Sequence, residues 1–294
     1  MSMQQAAKPL SLQDVNVADP FLSRYTRLVR ETAVPYQWEA LNDRVPGVAP
    51  SRAVRNFRIA AGLEEGEHGG FVFQDSDLAK WLEAAAHLLA AERNAQLERT
   101  ADELIDVIAM AQREDGYLNT YYILKEPENR WTNLAECHEL YCAGHLIEAA
   151  VAYHRATRKR KLLDVAMKLA DHIDRTFGDE PGKLQGYDGH PEIELALMKL
   201  YDETGIGRYK NLCAYFLSVR GRDRNPHFYD AEYERRGRTT HFGRQMKDDK
   251  AYSQAHVPPA KMDRAVGHAV RFAYLCAGMA HLAAAAGDAE LADA

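Results

Sequence analysis

Apolar residues recur at helical spacing along almost the whole chain, and no segment alternates as a half-buried strand would. The spacing predicts a first clear helix after Asp75-Ser76-Asp77, where Asp75 or Ser76 can cap and Leu78, Trp81, Leu82, Ala85, Leu88 and Leu89 form a buried stripe. A second helix is predicted through NAQLERTADELIDVIAMAQ, with Leu97, Leu104, Ile105 and Ile108 on one side, ending at Glu114-Asp115-Gly116. Further helices are predicted over about His138–Thr157, Leu162–Phe177, Pro191 to Gly205, Arg208–Arg220 and Arg264–Ala286, with an eighth beginning at about Asp288 and another near Pro20–Thr32. Between them lie predicted loops: PYQWEALND, RNFRIAAG, GYLNTYY, RWTN and a long stretch from Gly221 to about Asp263.

Three of the turns share a form. Thr157 precedes Leu162, Thr204 precedes Tyr209 and Ala286 precedes Leu291, each with four intervening residues between a helix end and the next apolar position. Repeated hairpins of this kind imply stacked antiparallel helix pairs, as a solenoid or a toroid, and the loop insertions favour a toroid with a site built at one end. The expected fold is therefore all-α, with antiparallel hairpins forming most of an (α/α)6 toroid that stops before closure. The last hairpins should then expose apolar faces and favour self-association.

Composition adds limits. The chain has 294 residues, 46% of them apolar, which suits one large domain or two ordinary ones. Its 43 acidic residues exceed its 37 basic ones, so it has no general attraction to nucleic acid or anionic membrane. The arginine-rich stretch 222–250 has eight basic and six acidic residues and reads as a solvated loop rather than a phosphate patch. The N-terminus has no basic segment followed by an apolar core, and no apolar run approaches the ~20 residues of a membrane helix. Cys137, Cys142, Cys213 and Cys276 are scattered without CxxC spacing, which argues against both a disulfide framework and a metal knuckle. These features together imply a soluble cytoplasmic protein.

Candidate chemistry concentrates in three histidine segments. ECHELYCAGHLIEA holds His138 and His145 two helical turns apart, with Tyr141 and Cys142 between them. GYDGHPEIE places His190 at a helix entrance, and VGHAVRFAYL puts His268 one turn from Arg271. A single helical histidine is more often structural than functional, and His145 fits either reading. Trp81 reads as core, whereas Trp38 and Trp131 fit core or pocket wall. Aromatic faces with amide and hydroxyl groups suit a sugar ring. Asp75, Asp77, Glu83, Glu139, Asp188, Glu192 and Glu194 are all available as acids, but no spacing singles out the pair a glycosidase needs. Asp75 and Asp77 are most simply helix caps, and Glu192 and Glu194 first-turn acids that favour the helix dipole.

Taken in order, the segments QWEALND, FQDSDLAKWLEAAAHLL, QREDGYLNTYY, ECHELYCAGHLIEAA, GHPEIELALMKLY, YFLSVRG and GHAVRFAYLCAGMAHLA resemble glycoside hydrolase family 127, the β-L-arabinofuranosidase-like family. The resemblance covers nearly the whole chain and implies an (α/α)6 catalytic barrel that hydrolyses terminal β-L-arabinofuranosyl groups with retention. It also implies a zinc-bound cysteine nucleophile and a glutamate acid/base. In the family these groups and the zinc-binding Glu-x-Cys and paired cysteines lie C-terminal to GHAVR, so no catalytic or metal-binding residue is assigned here, and the isolated chain is expected to be inactive. What carries over is a sugar-contacting set. His138, His190 and His268 match pocket histidines, and Gln37 of QWE matches a substrate-contacting glutamine. His145 shares the motif of His138 and is an alternative contacting member. The partner implied is an arabinofuranoside-type carbohydrate, without nucleic acid or membrane, in a chain able to form a homo-oligomer. Two other classes remain: a non-catalytic helical-repeat module that binds sugar or protein, and another toroid enzyme such as an unsaturated glucuronyl hydrolase or a sugar epimerase. Dispersed histidines would favour either of them.

Overall fold

The computed structural model describes residues 10, 12–15, 17–242 and 249–294. The leader reading of the N-terminus and part of the 222–250 loop thus lie outside the described residues. Within them the chain forms α1 (Pro20–Leu28), α2 (Val34–Leu41), α3 (Ala53–Ala60), α4 (Asp75–Ala91), α5 (Ala95–Ala111), α6 (Thr120–Leu124) and α7 (Glu139–Thr157). These are followed by α8 (Lys161–Thr176), α9 (Ile193–Thr204), α10 (Gly207–Val219), α11 (Phe228–Arg235), α12 (Ala269–Ala286) and α13 (Ala289–Asp293). No strand occurs among the described residues, apart from one isolated bridge between Phe177 and Leu184.

The helices pair as α4–α5, α7–α8, α9–α10 and α12–α13. The first member of each pair packs on the first member of the next, giving an inner row α4, α7, α9, α12, with α5, α8 and α10 outside it. Because each hairpin reverses the chain, the four inner helices run the same way and bring their N-termini to one end. Three hairpins stop in the same manner: Arg158, Gly205 and Gly287 all take the left-handed conformation just past the helix end. The anticipated stripe of α4 is buried from Leu78 to Leu89, with Trp81 3% exposed.

Several expectations need correction. PYQWEALND and RNFRIAAG are largely helical rather than loop. Pro35 lacks an N–H and cannot extend an i→i−4 ladder, and the chain joins α1 to α2 through a π turn at Val29–Ala33. In α3 the arginines lie on the outside, while buried Asn56 pairs through its amide with both the carbonyl and the N–H of Gly69. Neither Asp75 nor Ser76 caps α4. Gln74 holds that position, and the buried Asp75 carboxylate instead accepts from the backbone N–H of Thr120 at 2.7 Å and from its hydroxyl. The long 221–263 stretch contains α11, whose Glu232 carboxylate receives the N–H groups of Leu134 and Ala135 at 2.8 and 3.0 Å.

The end of the inner row is apolar and open. By length and composition α12 is sufficient to cross a bilayer, contrary to the sequence expectation, yet only 33% of it is buried. Its buried residues, Arg271, Leu275, Gly278, Met279, Leu282 and Ala283, meet α9 and α10. Its opposite side includes Val270 at 49% exposure. Apolar side chains of α1, among them Phe21 at 66%, are also exposed.

Candidate functional site

The shared end of the inner helices gathers the histidines. His138 is the residue before α7, His190 stands just ahead of α9 and His268 is the residue before α12. Their rings form a chain: His138 to His190 is 5.8 Å between centroids, and His190 to His268 is 6.1 Å. Tyr141 lies 4.5 Å from His190 and 4.5 Å from His145, and Tyr274 of α12 lies 5.7 Å from His190. Phe73, just before α4, closes one side at 5.1 Å from His138, and Tyr252 closes the other at 5.2 Å from His268. All four inner helices thus contribute to one aromatic and imidazole surface, and the dispersed histidines that would have favoured the rival readings do not occur.

Ring partners assign the tautomers. His190 Nδ1 faces the Pro191 carbonyl at 2.8 Å, and His138 Nδ1 faces the Glu136 carbonyl, so both donate there and leave Nε2 as acceptors. His268 Nδ1 accepts the Arg271 N–H at 3.4 Å, which leaves Nε2–H as a donor. Burial, followed by the charge of Arg271, lowers His138 to about 4 and His190 to about 2, so both are neutral near pH 7. Two acceptors and one donor on adjacent rings match the alternating needs of sugar hydroxyls.

Two buried charged residues hold this surface. Asp188 is 1% exposed, and its two oxygens accept the backbone N–H groups of His190 and Tyr141, each at 3.0 Å. Burial outweighs those bonds and raises Asp188 to about 6. Arg271 donates from Nη1 to the Gly189 carbonyl at 2.7 Å and to Ser253 Oγ at 2.9 Å, with its guanidinium 4.4 Å from the Tyr252 ring. The sequence paired His268 with Arg271 by spacing, but it gave Asp188 no role, although its position two residues before His190 was a usable signal. Tyr274 and Phe73 carried no comparable signal.

The remaining acids have other work. Glu139 receives the Tyr117 hydroxyl and the Trp131 N–H. Glu194 pairs with fully buried Arg220 at 2.9 Å, which explains its burial better than the helix dipole does. Trp131 is half-buried against Tyr117 and Phe177, and Trp38 packs on Trp81 in a tilted pair with ring centroids 4.5 Å apart. Gln37 is exposed on α2, and no hydrogen bond, ion pair or ring contact links it to the histidines. A cleft of about 620 Å3 lined by Trp38, Arg52, Arg55 and Leu104 lies elsewhere and includes none of the histidines.

Metal-ligating side chains converge at one place among the described residues. Ligand atoms of Glu83, His145 and Glu148 lie within 4.8 Å of one another. None of the four cysteines belongs to such a group, and burial pushes the thiols of Cys137, Cys142, Cys213 and Cys276 up. The described residues therefore do not fit the cysteine-bound zinc that the family resemblance implies.

Comparison with known proteins follows the same lines. Residues 14–294 match the family model described as β-L-arabinofuranosidase, GH127 catalytic domain. The chain is 42% identical over 296 residues to a non-reducing end β-L-arabinofuranosidase of Bifidobacterium longum subsp. longum, covering 95% of this chain and 45% of that protein. A solved GH127 β-L-arabinofuranosidase from Geobacillus stearothermophilus T6 shares 54% identity at a TM-score of 0.90, over 95% of this chain and 43% of that one. A solved GH127 β-arabinofuranosidase shares 33% identity at a TM-score of 0.82, over 97% and 42% respectively. The chain spans about half the length of the curated relative it matches.

Proposed function

Because the chain belongs to the GH127 β-L-arabinofuranosidase catalytic-domain family, we propose that it forms the sugar-binding face of a retaining hydrolase acting on terminal β-L-arabinofuranosyl groups. The observation behind this reading is the convergence of His138, His190 and His268 at the N-termini of three inner helices, with Tyr141 and Tyr274 as apolar faces. In this reading a furanose ring rests its C–H face on the tyrosines. Its hydroxyls donate to Nε2 of His138 and His190 and accept from Nε2–H of His268. His138 and His190, kept neutral by burial, suit the task, since they offer acceptor positions without a desolvated charge. Asp188 and Arg271 act as positioning residues: one fixes the His190 backbone to α7, the other fixes the preceding Gly189 carbonyl to α12.

The resemblance assigns the nucleophile, the acid/base and the zinc ligands to segments C-terminal to GHAVR. We therefore expect these 294 residues to bind the sugar without turning it over. The assay is release of the aglycone from an aryl β-L-arabinofuranoside by the 294-residue chain with added zinc. Background rates are expected, and robust turnover that disappears in His190→Ala would overturn the division of labour proposed here.

A further inference from the structure

Behind Tyr141, away from the histidine surface, three inner helices enclose a second polar group. His145 of α7 is 3% exposed and Glu192, the residue before α9, is fully buried, yet neither ring nitrogen of His145 and neither carboxylate oxygen of Glu192 has a hydrogen-bond partner. They face each other: His145 Nδ1 is 3.6 Å from Glu192 Oε1 and 3.9 Å from Glu148 Oε2. Glu148, 5% exposed, uses its other oxygen to pair with Lys199. Glu83 of α4 completes the group, its side chain 22% exposed and also near the exposed His87 at 3.6 Å.

A buried carboxylate without a donor and a buried imidazole without a partner are each unfavourable, by roughly 1–3 kcal/mol or more for a polar group left unpaired. One ion placed among them would satisfy both. Glu83, Glu148 and Glu192 bring three carboxyl groups against the single ammonium of Lys199, and burial beside Glu148 pushes Glu192 well up, a crowding that a divalent cation would relieve. Lys80, whose charge also acts on His145, is bound to Ser76 and Tyr141 instead. We propose that Glu83, His145, Glu148 and Glu192 hold a divalent first-row transition-metal ion that ties α4, α7 and α9 together. The ligand set is one imidazole and three carboxylates, which suits ions such as Zn2+ or Mn2+ and contains no sulfur. Metal bonds of about 2.0–2.2 Å keep ligand atoms roughly 4 Å apart or less. Ligand atoms of Glu83, His145 and Glu148, now within 4.8 Å of one another, close by about an ångström on binding, while Glu192 Oε1 stands 3.6 Å from His145 Nδ1. Gly144 of α7 allows the approach, since a Cβ there would lie 2.5 Å from Glu192 Cγ. The inference stands on this group alone and does not depend on the sugar-binding reading.

The test is calorimetric titration of the chelator-stripped 294-residue chain with Zn2+ and with Mn2+, alongside His145→Ala, Glu83→Gln and Glu192→Gln. The expected result is one ion per chain, at least tenfold weaker in His145→Ala and Glu83→Gln, with a metal-dependent rise in melting temperature that the variants lose. X-ray absorption of the zinc-loaded chain should show nitrogen and oxygen neighbours at about 2.0–2.1 Å and no sulfur near 2.3 Å. If His145→Ala does not fold by circular dichroism, the partly exposed Glu83→Gln decides. Two results overturn the proposal: binding unchanged in both of these variants, which would place the ion elsewhere, or no stoichiometric binding of either ion by the parent chain, in which case a more stable Glu192→Gln would mean that Glu148 and Glu192 share only a proton.

Discussion

The carboxylate of Asp188 receives the backbone N–H of His190 at 3.0 Å, and with its other oxygen it receives the first-turn N–H of Tyr141. A single buried side chain thereby registers the loop before α9 against the start of α7, the two elements that present His190 and His138. Replacement by alanine leaves two buried N–H groups without acceptors, each worth about 1–3 kcal/mol. Asp188→Ala should therefore lower the unfolding free energy by about 2–6 kcal/mol in urea titration. Asp188→Asn, which keeps one acceptor oxygen, should lose about half of that.

The pH dependence should divide between two sets of groups. His138, His145 and His190 are held at about 4, 3 and 2, below the ordinary 6.5, so their contribution is present above pH 6.5 and is lost as pH falls toward those values. Asp75 and Asp188 at about 6 and Glu232 at about 7 act oppositely: their contribution is present below about pH 4 and is lost as pH rises through 6–7. Glu139 and Glu192, pushed well above the carboxylate range by burial, act in the same sense as Asp75, so the histidine contribution is read by comparing a variant with the parent. His190→Gln removes one histidine, and its urea midpoint at pH 4 relative to pH 6.5 should be higher than the parent's. Equal slopes for the two proteins would count against a buried neutral His190.

Trp81 couples α4 to α2. Its indole N–H donates to the Val34 carbonyl at 3.0 Å, and its ring packs on Trp38 at 4.5 Å. Trp81→Phe keeps most of the apolar contact and orphans the carbonyl. The expected loss is about 1–3 kcal/mol by thermal or urea unfolding, with Trp38 fluorescence shifted as its packing partner changes.

Gly144 and Gly278 let α7 and α12 close on the start of α9 from two sides. A Cβ at Gly144 would lie 2.5 Å from Glu192 Cγ and 3.2 Å from backbone, while one at Gly278 would lie 2.9 Å from Glu194 Cβ. Backbone contacts of this kind cannot be relieved by a rotamer change. Gly144→Ala should destabilise by about 1–3 kcal/mol, despite the usual gain of alanine over glycine inside a helix.

The long helices were legible because the spacing of Leu78 to Leu89 or Leu162 to Ile173 follows one buried face, and because Gly205 and Gly287 mark their ends. The two-turn helices α2 and α3 were not, since eight residues rich in Arg, Gln and aromatics give too short a period to separate from a loop. The histidine triad was legible as residues, each next to Gly or at a helix start, but its convergence depends on parallel inner helices that no local pattern encodes. Asp75 illustrates the limit. Its position before an apolar stripe reads as a cap, whereas the tertiary contact with Thr120 decides its conformation. Glu192 and Glu194 likewise read as dipole partners, and only packing separates the one paired with Arg220 from the one facing His145.

The sugar-binding claim is tested most directly by titrating methyl β-L-arabinofuranoside into the 294-residue chain while following the imidazole resonances of His138, His190 and His268 by NMR. Saturable binding is predicted, with all three rings shifting together and the affinity falling at least tenfold in His190→Ala and in His268→Ala. Absence of saturation at millimolar sugar, or equal affinity in the parent and both variants, would contradict the assignment of this surface to the sugar.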